Sequence, residues 1–247
     1  MTEGDLREVV RAHLTEQMQQ VAGSVLYTPL STIKPGAVYI MGLNPGGRPS
    51  DDSSAIIDNI APSEGQSSYT HECWNADCDD PGTCVHLDGG RIRPDAEVDH
   101  QRHMRQIAEA LETPLVELPS CNAIFAKSGS LAELKSQTKI SALVWWDCCW
   151  PVHQYLLSQV RPHLIVTLGY GERTSALGLL RRKTGYMPVR QFGDKGVHGG
   201  KTFNADLPLS NEDSIAVTVV GVPHPSWYSP GPVLKHQLWE VVRGLST

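Results

Sequence analysis

The strongest constraint on the fold is a recurring pattern: a short apolar run stops at a turn signal and is followed by a segment with helical spacing. Ala37-Val38-Tyr39-Ile40-Met41 ends in Gly42-Leu43-Asn44-Pro45-Gly46-Gly47. A second run at 115–118 leads into Ser120-Cys121-Asn122-Ala123-Ile124-Phe125, and a third at 164–168 into Leu168-Gly169-Tyr170-Gly171-Glu172. The fourth, at 214–222, breaks at Pro223-His224-Pro225-Ser226-Trp227-Tyr228-Ser229. Runs this short, without polar alternation, read as strands buried on both faces, the mark of a parallel sheet covered by helices. The class expected is α/β, and ligands of such sheets bind at the carboxyl ends of the strands.

Between these runs lie the helices. Leu6, Val9, Val10, Leu14 and Met18 share one helical face; Val98, Met104, Ile107, Ala108 and Leu111 define another over 96–112, which Pro114 stops. Further helices are expected over 147–160, with Pro151 in the first turn, over 174–182 and over 232–244. Residues 47–95 are rich in Ser, Asp, Gly and Pro and lack sustained periodicity, so they read as a long insertion of about 50–95 within a single domain spanning 1–247.

Charge is distributed unevenly. The chain of 247 residues carries a net −6, yet residues 51–99 hold twelve acids and two bases, which leaves the remainder at +4. Within that remainder, 181–201 has six bases, Lys195 and Lys201 among them, against one acid. A neutral-to-basic body with an acidic insertion is compatible with a nucleic-acid partner. No apolar run approaches the length of a membrane span, and the first twenty-one residues are charged and amphipathic, so the expected setting is the cytoplasm and the expected state a monomer. Six cysteines without a secretion signal read as thiols or metal ligands. Cys73, Cys78 and Cys84 with His86 or His71 form a candidate structural Zn²⁺ site that would order the insertion; no cofactor is expected for catalysis.

Taken in order along the chain, Gly42-Leu43-Asn44-Pro45-Gly46 and His224-Pro225-Ser226 resemble the first and last motifs of the uracil-DNA glycosylase superfamily. The Asn and His combination is most similar to its single-strand-selective, mismatch-specific and hypoxanthine-acting branches. The resemblance covers the four strand-end loops and leaves out 50–95. It implies a three-layer α/β/α sandwich around a mainly parallel four-stranded sheet. It also implies a monofunctional DNA glycosylase that flips uracil or another modified pyrimidine from single- or double-stranded DNA and hydrolyses its bond to deoxyribose.

Residue by residue, the resemblance makes Asn44 the group that holds the attacking water and His224 the donor to the leaving base. Gly42, Leu43, Gly46 and Asn122 would line the base site, with Tyr69, Trp74 and Phe125 as alternatives for stacking on the extruded base. Gly47, Gly169, Ser226, Trp227, Tyr228, Lys195 and Lys201 would contact DNA, Tyr228 filling the gap left by the nucleotide. Gly46 stands where stricter uracil enzymes carry a bulky Tyr, which implies tolerance at C5 of the base. Two alternatives follow: a phage-defence glycosylase acting on a hypermodified cytosine, with the glycine-rich stretch around His198 enlarging the pocket, and a non-catalytic protein that binds lesions or abasic sites. The iron–sulfur branch carries a cysteine pair ahead of the first motif, and this chain has no cysteine before Cys73.

Overall fold

The computed structural model describes residues 1–46, 54–74, 86–172, 175–192, 199–210 and 213–226. The expected helix at 232–244 lies outside the described residues, as do Gly47, Cys78, Cys84, Lys195, His198, Trp227 and Tyr228.

Helix α1 (Glu3–His13) opens with a reciprocal cap: Thr2 Oγ1 accepts the Asp5 N–H and the Asp5 carboxylate accepts the Thr2 N–H. The single helix expected through Met18 is two, because Thr15 Oγ1 caps a separate turn, α2 (Glu16–Gln19), by accepting the Met18 N–H. Strand β1 (Tyr39–Gly42) follows, then α3 (Ser68–His71) and a small hairpin, β2 (Leu87–Asp88) with β3 (Arg91–Ile92). Helix α4 (Asp99–Ala110) leads to β4 (Ser120–Asn122).

The run expected as a strand at 115–118 is a 3₁₀ turn at Leu115–Glu117, since Pro114 and Pro119 bracket it and deny ladder donors; the strand starts after the second proline. Next come α5 (Leu131–Thr138) and α6 (Ala142–Val160). Ser141 caps α6, which places Pro151 in its interior rather than its first turn. The chain continues through β5 (Leu164–Leu168), α7 (Ala176–Lys183), β6 (Arg190–Phe192), β7 (Gly200–Ser210) and β8 (Asp213–Val222).

The central sheet has six strands in the order β4-β1-β5-β8-β7-β6. The first four pair in parallel; β1, β5 and β8 are the runs foreseen, and β4 takes the place of the strand expected at 115–118. Two antiparallel strands, β7 and β6, extend the sheet beyond β8, correcting the four-stranded expectation. In β7 the side chains of Phe203, Ala205, Leu207 and Leu209 are buried while Asn204, Asp206 and Pro208 between them are exposed. The outer edge of β4 is covered by residues 22–27: Tyr27 N–H donates to Ser120 O at 2.8 Å and Ser24 N–H to Phe125 O at 3.1 Å.

Strand alternation sends side chains to two cores. Tyr39, Met41, Ile165, Val217 and Val219 join the larger one, with α1, α6 and α7; Ile40, Leu164, Val166, Val220 and Val222 join a smaller one with α4. Helices thus cover both faces of a mostly parallel sheet, compatible with three layers. The acidic insertion is not coreless throughout, because Ile56, Ile57, Ile60 and Tyr69 are buried. No helix among the described residues is long and apolar enough to cross a membrane.

Candidate active site

Three strand ends meet at one edge of the sheet. Asn44 follows β1 by two residues, His224 follows β8 by two, and Asn122 ends β4. β5 lies between β1 and β8, so the two motif loops stand two strand spacings apart, about 10 Å. Gly169, at the end of β5, has φ +91°, a conformation that favours glycine, and its N–H donates to Val222 O at 2.8 Å. The His224 ring passes beside it.

Asn44 is half-buried and its amide is oriented by the chain. Its Nδ2 donates to Ser128 O at 2.9 Å, to Ser128 Oγ at 3.1 Å and to Pro45 O at 3.0 Å. Both amide hydrogens are thereby committed, and Oδ1 is the acceptor on the opposite side of the group. Gly42 is required by its neighbour: a Cβ there would lie 2.0 Å from Asn122 Oδ1. Leu43 packs against the larger core, and its carbonyl accepts the Ile124 N–H at 2.8 Å, tying the first motif to the segment after Asn122. Around Gly46, by contrast, a Cβ would meet nothing within 4 Å among the described residues.

His224 is half-buried, and burial lowers its pKa from the ordinary imidazole value. Its Nδ1 accepts the Ser226 N–H at 3.2 Å, which leaves Nε2 as the protonated nitrogen of the neutral ring. Two histidines one turn apart on α4 support the same loop. His103 Nδ1 donates to Pro225 O, and His100 Nδ1 sits 3.1 Å from Ser226 Oγ. Burial, then the neighbouring His224 and His103, depress His100 to about 3.

Tyr69 is buried at this edge, its hydroxyl 2.7 Å from Ser120 Oγ. Its ring stacks on Tyr27 at 5.5 Å between centroids, lies parallel to His100 at 6.1 Å, and meets the edge of Trp74 at 5.6 Å. His100 in turn meets Trp74 at 5.5 Å and His224 at 5.6 Å. Ser24 and Asn122 hydrogen-bond toward the Tyr27 hydroxyl, whose pKa burial raises above the ordinary phenol value.

Other expected site residues fall elsewhere. Phe125 is fully buried in the larger core with its ring 5.0 Å from His153, away from the His224 cluster. Lys201, on β7 opposite Gly221, pairs with Glu172 at 3.4 Å and lies over the Tyr170 ring. Of the Zn²⁺ candidates, Cys73 is half-buried, and His71 Nδ1 accepts the Ser67 N–H at 3.1 Å and sits 2.8 Å from Thr70 Oγ1. No group of three His, Cys, Asp or Glu placed to hold a metal occurs among the described residues.

Ser128, Tyr27, His100 and His103 are additions that the motifs do not contain. The two histidines had a signal, their spacing of three within the helix-forming stretch Asp99-His100-Gln101-Arg102-His103-Met104. Ser128 and Tyr27 had none. No protein-family model matches this chain and no curated protein sequence matches it.

Proposed function

We propose that the chain is a monofunctional DNA glycosylase of the uracil-DNA glycosylase type, which extrudes a modified base and hydrolyses its bond to deoxyribose. What supports the reading above all is the pairing at one sheet edge of an oriented amide, Asn44, with a neutral imidazole, His224, whose Nε2–H is its donor. Cleavage of an N-glycosidic bond develops positive charge on the sugar and negative charge on a departing uracil. Asn44 Oδ1 accepts a hydrogen bond from the attacking water and aims its oxygen at C1′. An amide takes up no proton, so its contribution is placement and electrostatics. His224 donates from Nε2 to the carbonyl oxygen of the leaving base, and a neutral donor suffices for that.

Asn122 reads the edge of the extruded base, the half-buried Trp74 stacks on it while Tyr69, covered by Tyr27 and His100, supports Trp74 from within, and Ser226 meets the backbone phosphate. Among the described residues nothing crowds Gly46, which agrees with a pocket that admits a substituent at C5 and keeps modified cytosines and a defence role within the proposal.

Oligonucleotides containing uracil, hypoxanthine or C5-substituted cytosines, incubated with the protein and developed with alkali, test the proposal. Release from at least one of them is expected, falling about a hundredfold or more in Asn44→Ala. Binding to abasic DNA with no release from any substrate would overturn it in favour of a lesion-binding protein.

A further inference from the structure

We propose that this edge accepts N-alkylated nucleobases carrying a fixed positive charge, with 7-methylguanine and 3-methyladenine as representatives; the inference rests on the glycosylase reading and names a substrate class for it. Five rings, those of Tyr27, Tyr69, Trp74, His100 and His224, form a continuous chain of contacts of 5.5–6.1 Å. All but Tyr69 are half-buried, so the chain of rings reaches the surface. Glu72 borders it. Its Oε2 accepts the Trp74 Nε1–H at 3.0 Å, and its charge acts on the phenols of both Tyr27 and Tyr69.

Electron-rich ring faces bordered by a carboxylate attract a delocalised cation, as aromatic cages do for quaternary ammonium groups. Among the described residues, the lysines lying over rings do so at Trp146, Trp150 and Tyr170, so no internal cation occupies these five.

The chemistry at the other end of the site agrees. When a cationic N-alkylpurine leaves, the C1′–N bond breaks and its electron pair cancels the positive charge on the base. The base departs neutral, the oxygen of water bonds to C1′, and the water proton passes to solvent. No acid has to protonate the leaving group and no anion has to be stabilised. An amide at position 44 in place of a carboxylate, and an imidazole held neutral at 224, are sufficient for such a substrate.

The test measures, by mass spectrometry, the bases that the full chain releases from dimethyl sulfate-treated DNA and from uracil-containing DNA. Release of 7-methylguanine or 3-methyladenine is expected, with the ratio of methylpurine to uracil kcat/KM falling about tenfold in Glu72→Gln and in Trp74→Leu. Release of methylpurines without uracil also supports the inference. Release of uracil alone overturns it and leaves the glycosylase reading standing; release of neither overturns it as well, and the glycosylase reading falls with it only when hypoxanthine and C5-substituted cytosines are also retained. Because a variant that fails to fold would decide nothing, calorimetric titration of the parent protein with 7-methylguanosine and with guanosine stands beside it. The methylated nucleoside should bind about tenfold more tightly; equal affinities would overturn the inference.

Discussion

The molecule holds two clusters of histidine and aromatic rings, one sealed beneath β4 and one open at the carboxyl edge of the sheet. In the sealed cluster His153 touches Phe125, Trp146 and Trp150, and its Nε2–H donates to Ala123 O at 3.1 Å. That leaves Nδ1 as an acceptor for the Tyr39 hydroxyl at 3.4 Å, while Cys121 Sγ–H donates to the same hydroxyl at 3.0 Å. The proton chain therefore runs from Cys121 through Tyr39 to His153 and ends on the backbone beside Asn122. Burial holds every member uncharged: the Cys121 thiol is pushed up to about 12 and His153 down to about 4. The open cluster is also built of tyrosine, tryptophan and histidine rings, but Tyr27, Trp74, His100 and His224 are only half-buried. His153 has both ring nitrogens engaged, whereas His224 has one, Nδ1, among the described residues.

That distinction assigns opposite consequences to substitution. Trp146→Ala in the sealed cluster removes a fully buried ring and should cost about 3–5 kcal/mol. This lowers the melting temperature by about 10 °C and leaves base release by the folded protein close to that of the parent. His224→Ala in the open cluster should do the reverse. Loss of a donor to the leaving base is expected to lower kcat about 10²–10³-fold. Its cost in stability is about that of one hydrogen bond, about 1 kcal/mol. Thermal melts and single-turnover base release on both variants test the pair, and a large melting shift in His224→Ala would erase the contrast.

Acid sharpens the same comparison. His153 has a folded pKa of about 4, below the ordinary value of 6.5. As pH falls through 6.5 the unfolded chain takes up this proton first, so the contribution present above 6.5 is lost by about 1.4 kcal/mol per pH unit down to about pH 4. The total is about 3 kcal/mol. His100 and His224, also depressed, act in the same direction. His153→Gln, whose amide retains a donor for Ala123 O, should flatten urea midpoints measured between those two pH values without abolishing the slope. An unchanged slope would mean that His153 is already charged in the folded protein.

The sequence was legible where local rules and tertiary role coincide. Three of the four parallel strands are apolar runs bounded by turn residues, and Asn44 and His224 stood out because each follows such a run closely; β4 is the polar Ser120-Cys121-Asn122, so Asn122 was placed in a loop although it ends the strand. β7 was not legible. Gly200, Asn204, Asp206 and Pro208 are poor strand formers, and their tolerance comes from β7 pairing with β6 at one end only, so that among the described residues most of its outer edge carries no ladder. The start of α6 was misread because proline favours the first helical turn, whereas the preceding residues Trp145, Trp146 and Cys149 are buried and hold a helix through Pro151. Tyr27 and Ser128 were invisible for a different reason: each acts through a residue remote in sequence, Tyr69 and Asn122 for the one and Asn44 for the other.

The smallest expected effect concerns His100, which sits at the boundary of the comparison. Its ring completes the open cluster, yet Nδ1 lies 3.1 Å from Ser226 Oγ, so it also supports the loop that carries His224. His100→Phe keeps the ring contacts with Tyr69, Trp74 and His224 and removes only the polar contact. If His100 acts mainly as a ring, stability changes by less than about 0.5 kcal/mol and kcat/KM by about threefold or less. If it acts mainly by holding Ser226, the placement of the DNA backbone suffers, and KM rises while kcat stays near the parent value. Steady-state kinetics on the variant separates the two, because loss of a contact used equally in ground and transition states appears in KM alone.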